Sequence, residues 1–127
     1  MSGVSGTSAG GSVAQRGDVY WIDPNPVVGH EMQNRHRFVA ITPKEINRLG
    51  VTLFVPITSG GAFARDMGLA VAVMVQDTTG VAVCNQVRGF DIKARVKAGS
   101  AKFIERLDDS TMQEIVLRVI SVIDPQG

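Results

Sequence analysis

The sequence predicts a small, strongly bent antiparallel sheet or partly open barrel, closed by a single C-terminal helix. Short runs of β-branched and aromatic residues recur along the chain, each bounded by Gly, Pro, Asn or Asp. Apolar residues at a helical period appear at the C-terminal end, after the strands. With 127 residues the chain has room for one domain with one core.

Met1 to Gln15 is rich in Gly and Ser and lacks periodicity, so residues 1–15 are expected to form a disordered tail ahead of a domain over 16–127. Gly17 to Ile22 reads as the first strand, stopped by Asp23-Pro24-Asn25-Pro26. A polar loop from Val28 to Arg37 follows, holding His30, Glu31, Arg35 and His36. Phe38 to Thr42 reads as a second strand, Pro43 to Asn47 as a helical turn, and Val51 to Ile57 as a third strand. Gly60 to Met67 is a loop with Phe63 and Arg65. Strands are expected over Leu69 to Val75, Thr79 to Val87 and Lys102 to Leu107, with a basic segment before the last. Met112, Ile115, Val116, Val119, Ile120 and Ile123 make one stripe of a helix over 109–123. Asp108 or Asp109 can cap its start, and Ser110 with Gln113 has capping-box spacing. The stripe must be buried, against the sheet or against a partner subunit.

Composition narrows the function. Net charge is +1 and aromatics are 6% of residues, which argues against a strong overall basic field and against a base-stacking platform. Arg88, Lys93, Arg95, Lys97, Lys102 and Arg106 nevertheless outnumber Asp91 and Glu105 in one segment, a local stripe able to bind a polyanion. Cys84 is the only cysteine, so no intramolecular disulfide forms, and its apolar neighbours place it in the core. With two histidines and one cysteine, no metal or cofactor is expected. No segment has the length of a membrane span and none resembles a secretory signal, so the cytoplasm is the expected compartment.

Val55-Pro56-Ile57-Thr58-Ser59-Gly60-Gly61 is the segment richest in chemistry. A stiff strand would deliver Thr58 and Ser59 to an edge, where hydroxyls can donate to phosphate oxygens without ionising. The glycines would let another backbone or a ligand come close.

These residues, with others, resemble the PemK/Kid/MazF toxins of bacterial toxin–antitoxin systems. The match runs from Arg16 to about Ile123. It rests on Arg16-Gly17-Asp18, Asp23-Pro24, Gly29-His30-Glu31, the Val55 to Gly61 segment, Phe63-Ala64-Arg65, Gly80-Val81, Asn85-Gln86-Val87-Arg88, Asp91 and Lys93-Ala94-Arg95. The pattern looks closest to the Kid and ChpB branches. The resemblance implies a small Src-homology-3-type barrel with a C-terminal helix, working as a homodimer. It implies a metal-independent endoribonuclease for single-stranded RNA, with operator DNA bound only through the antitoxin complex. It also implies an antitoxin with an acidic, flexible tail.

Cleaving RNA without a metal requires removing the 2′-hydroxyl proton, protonating the leaving 5′-oxygen and stabilising the charge between. The resemblance puts Arg37 at the family's loop arginine, where a guanidinium grips phosphate. Thr58 and Ser59 match its hydroxyl pair, and His30 its loop histidine, a natural proton shuttle. His36 is the weaker histidine candidate. The arginine–aspartate pair proposed for Kid falls on Val83 and Asn85, neither of which moves a proton, so that mechanism does not carry over. Asn85 and Gln86 then read base edges or bind phosphate. Arg65, Arg88, Lys93 and Arg95 would track the RNA backbone, and Phe63 would contact a base or a subunit interface. Two other readings are a gyrase-poisoning toxin of the same fold, as CcdB is, and a non-catalytic antitoxin- or operator-binding member.

Overall fold

In the computed structural model the described residues are 12–24, 36–60 and 65–125. Most of the expected tail lies outside them. Contacts nonetheless reach back to Ala14, which is only 2% exposed, and its carbonyl accepts from Asn47 Nδ2 at 2.8 Å.

The strands are β1 (Asp18–Ile22), β2 (His36–Ala40), β3 (Thr52–Thr58), β4 (Ala70–Val75), β5 (Thr78–Val83), β6 (Arg88–Phe90) and β7 (Ala101–Arg106). The helices are α1 (Lys44–Asn47), α2 (Ile92–Ala98) and α3 (Asp109–Ile123). The strands form a curled antiparallel half-barrel in the order β4-β5-β3-β2-β1-β7, with β6 also on β3. β3 changes neighbour along its length. Thr52, Leu53 and Phe54 pair with β6, and Ile57 and Thr58 pair with β5. Pro56 sits at the changeover, where its missing N–H costs no bond to either neighbour.

Strand alternation sends side chains to two faces. Val19, Val39, Val55, Ile57, Val71, Val73 and Ala82 gather under α3 with Met112, Ile115 and Val119. Tyr20, Ile22, Phe38, Phe54 and Phe90 form an aromatic core under α2 with Ile92. Phe54 meets Tyr20, Phe38 and Phe90 edge-on, with centroids 5.8–6.5 Å apart. Cys84 is buried as expected, and burial pushes its thiol up to about 11.

Three elements depart from expectation. β2 begins at His36 rather than Phe38, so His36 and Arg37 are strand residues. Its end is earlier because Thr42 Oγ1 bonds Asn47 Oδ1 and accepts from Leu53 N, which turns the chain into α1. β5 ends at Val83, since Gln86 N bonds Val83 O in a turn. The basic segment contains α2, bracketed by Asp91, whose carboxylate accepts from Ala94 N at 3.1 Å, and by Gly99 at φ 84. On α3, Asp108, one of the two expected aspartates, is the cap, accepting from Thr111 N at 3.0 Å. The α3 stripe is only half covered. Met112, Ile115 and Val119 are buried, but Ile120 is 52% and Ile123 74% exposed. The helix packs on the edge strand β4, and beyond Val119 the stripe is left uncovered.

Candidate functional site

β3 delivers Thr58 to its C-terminal end, as the apolar run predicted. Thr58 Oγ1 accepts from Gly60 N at 3.1 Å in a tight local turn. That leaves its hydroxyl proton available to a ligand, and Ser59 beside it is exposed. The glycine that permits close approach here is Gly80 on β5. A Cβ at Gly80 would stand 2.5 Å from the Thr58 carbonyl oxygen. Gly60 has only an ordinary contact, 3.8 Å from Thr58 Oγ1.

Arg37 pairs with Ile57 across β2 and β3, so its backbone is one residue out of step with Thr58. Alternation sends Arg37 to the face of Ile57 and Thr58 to the opposite face. Extended by one residue, the same register sets His36 across from Thr58, on the Thr58 face, where His36 is exposed. Val83 also lies on that face, in a small apolar cluster with Val81, Leu69 and Ala70. The position that holds the Kid arginine is therefore occupied by packing. Asn85 and Gln86 are exposed on the turn that leaves β5.

The Arg37 guanidinium lies over Trp21, 5.2 Å from the ring centroid. Its Nε, like Thr78 Oγ1, is buried without a hydrogen-bond partner. Trp21 pairs with Arg37 on one side and with Lys102 on the other. Arg37, Trp21 and Lys102 thus form one rung across β2, β1 and β7. No sequence pattern marks Trp21 as a site residue; Gly80 stands out only within Gly80-Val81, and Lys102 only as part of a basic stripe. Pairing register links the rung, and register is not visible in a sequence without its partner strands.

The other basic candidates divide. Arg88 and Arg95 both lie over the Phe90 ring, at 5.0 and 4.8 Å. Arg95 also donates to the Asp23 carbonyl at 2.8 Å, joining α2 to the end of β1. Its role in the fold is thus structural at least in part. Lys93 and Arg65 are exposed. His30 and Phe63 lie outside the described residues. Among the described residues no group of three metal-ligating side chains gathers, and no helix is long and apolar enough to cross a membrane.

Residues 15–123 match the family of PemK-like, MazF-like toxins of type II toxin–antitoxin systems. The chain belongs to this family. It is 36% identical over 112 residues to Endoribonuclease PemK of Escherichia coli, covering 86% of this chain and 81% of that protein. It is 37% identical over 113 residues to Endoribonuclease toxin ChpB of Escherichia coli (strain K12), covering 87% and 94%. The fold is similar to that of MazF in a MazE–MazF crystal structure from Deinococcus radiodurans, with TM-score 0.70 and 20% identity over 91% of this chain and 99% of that one. It is also similar to a mycobacterial endoribonuclease solved with its cognate antitoxin, with TM-score 0.64 and 17% identity over 87% and 94%. Against this family, Arg16-Gly17-Asp18 proves to be framework. Arg16 Nε donates to Ile41 O at 2.7 Å. Asp18 Oδ1 accepts from Arg106 at 2.7 Å, and its Oδ2 accepts from Gln15 N at 2.9 Å.

Proposed function

We propose that this chain is the toxin of a toxin–antitoxin pair and an endoribonuclease that cuts single-stranded RNA, mRNA included, without a metal, so that translation and growth stop. The observation that carries this reading is the half-buried Thr58 and exposed Ser59 hydroxyls at the end of β3, with a partly buried arginine one residue out of step on the neighbouring strand. It occurs in a chain 36–37% identical to two endoribonucleases. In this mechanism the 2′-oxygen attacks phosphorus as its proton is taken up. The P–O5′ bond breaks and the 5′-oxygen is protonated, leaving a 2′,3′-cyclic phosphate and a 5′-hydroxyl. Thr58 and Ser59 orient the phosphate or the 2′-hydroxyl, and Arg37, which rests over Trp21 on the other face, turns its guanidinium past the end of β2 to stabilise the charge on the phosphorane oxygens. Asn85, Gln86, Arg65, Lys93 and Arg88 contact the bound strand, with Phe63 available to a base. The decisive experiment incubates purified protein and single-stranded RNA in excess EDTA. Cleavage with 2′,3′-cyclic ends is expected; intact RNA across varied sequences defeats the proposal.

A histidine moves the protons, and two are available. His30 is the family's loop histidine; the strand register supports His36, across from Thr58. Separate His30→Gln and His36→Gln variants are expected to differ. The one that flattens the pH–rate profile identifies the proton carrier, and two unchanged profiles refute a histidine.

An antitoxin partner is supported by relatives solved as toxin–antitoxin complexes. An antitoxin with an acidic, flexible tail covers the site, and operator DNA is bound only through that complex. The protein works as a cytoplasmic homodimer, a state supported by exposed Leu117, Ile120 and Ile123 on one helix. No observation favours gyrase poisoning or a purely binding role.

A further inference from the structure

The rung Arg37–Trp21–Lys102 lines a cavity of about 310 Å³, completed by Asp77, Phe103 and Ile104. Its walls come from β1, β2, β7 and the turn between β4 and β5, which no sequence motif joins. Trp21 and Lys102 are direct partners across β1 and β7. Arg37 stands over the indole with its Nε buried and unpartnered. Asp77 sits on the tight turn between β4 and β5, where its backbone N–H donates to Glu105 Oε2 at 3.0 Å. That bond ties the hairpin tip to β7 and occupies one oxygen of Glu105, leaving the Asp77 side chain exposed at the rim.

We propose that this cavity is a nucleotide subsite of the RNA strand, separate from the Thr58 face. The proposal rests on reading the chain as an RNA-cutting enzyme. Arg37 and Lys102 both line the cavity and supply two cations for one phosphate. Trp21 offers an apolar surface beside them for the sugar or base. Asp77 is out of place in a site for phosphate alone, because a carboxylate repels an anion. It suits a nucleotide, since it accepts from the amino and ring N–H groups of guanine and from the amino groups of adenine and cytosine. Uracil offers only an N–H flanked by two carbonyl oxygens. The cavity therefore discriminates against uridine.

The test uses the full chain and its single tryptophan. Intrinsic fluorescence is titrated with GMP, AMP, CMP, UMP and ribose 5-phosphate, with RNA cleavage followed in the same preparation. Saturable changes are expected with the three amino-bearing nucleotides, each binding more tightly than UMP, and ribose 5-phosphate is expected to bind most weakly. Lys102→Gln should weaken every nucleotide about tenfold, the loss of one charge-assisted hydrogen bond. Asp77→Asn should narrow the gap between GMP and UMP and leave UMP binding little weakened. No saturable signal from a preparation that cuts RNA overturns the subsite. So does binding that neither variant alters. Nucleotide binding with the expected variant pattern but no RNA cleavage would uphold the subsite and instead remove the nuclease reading.

Discussion

Two short motifs of this chain, Arg16-Gly17-Asp18 and Thr58-Ser59-Gly60, look alike in sequence and differ in what the fold does with them. Both set polar side chains beside a glycine at the end of a strand. In the first, the polar groups engage the protein itself. The Arg16 Nε and both carboxylate oxygens of Asp18 have protein partners, and Gly17 at φ 97 leaves room for Met112 and Arg106. In the second, only the local bond from Gly60 N occupies the hydroxyl oxygen of Thr58, and Ser59 faces solvent. The difference separates framework from chemistry. A polar motif satisfied within the protein holds the fold, and one left with spare donors at an edge is free to act on a ligand.

This contrast is broken most sharply by two substitutions that should fail in opposite ways. Arg37→Ala is expected to lower the RNA cleavage rate by about 10³-fold, as for removal of one group that stabilises transition-state charge, with the unfolding midpoint nearly unchanged. Asp18→Ala is expected to lower stability by about 2 kcal/mol, since it strands the Gln15 amide and unpairs a half-exposed Arg106. Its cleavage rate per folded molecule should stay near wild type. Parallel denaturant melts and initial rates read both, and a loss of activity in folded Asp18→Ala would merge the two motifs into one site.

Gly80→Ala tests the boundary between the two regions. The added Cβ must displace the Thr58 backbone or the β5 backbone, costing about 1–3 kcal/mol and moving the hydroxyls out of position. Stability and cleavage should therefore fall together, and a variant that keeps full activity would show that the placement of Thr58 is not critical.

The smallest effect comes from the buried titratable groups. Burial raises the Tyr20 hydroxyl from 10.0 to about 12, with the Asp18 charge adding to it, and raises the Cys84 thiol from 9.0 to about 11. In each case the folded state holds its proton more tightly than the unfolded chain. Stability is therefore undiminished below about pH 9 and declines as pH rises through the window from 9 to 12. Urea midpoints measured across that range should fall progressively, and Cys84→Ala should remove the earlier part of the fall. A flat profile would mean that the two groups are not buried in solution.

Much of the fold is legible in the sequence because alternation and periodicity are local. Val19 and Tyr20, or Phe38 and Val39, announce a strand with two apolar faces, and Met112, Ile115 and Val119 announce a helix. α2 escaped because Lys93, Arg95 and Lys97 alternate with Ala94 and Val96, a spacing that does not read as a helix. Only its ends, Asp91 and Gly99, carried the signal. In the site, Thr58 and Ser59 are legible as hydroxyls ending a strand. The placement of Arg37 is not. A two-residue shift in the start of β2 moved it from the polar loop into the sheet, and pairing then put it beside Trp21 and away from the Thr58 face. Those relations join residues 21, 37 and 102, which no short-range pattern connects.

The change of neighbour along β3 has one more consequence. The β4–β5 hairpin and the arm of β6 with α2 both hang from one strand, and near Pro56 they part. Pro56 carries no N–H, so the change of partner leaves no backbone donor stranded at the seam, and one strand carries both arms. The hairpin carries Asp77 and Gly80, and the arm carries Arg88, Lys93 and Arg95. Both arms also close onto β7, the hairpin through the Asp77 N–H on Glu105 and the other arm through α2, so a change in either arm is felt at the same far strand.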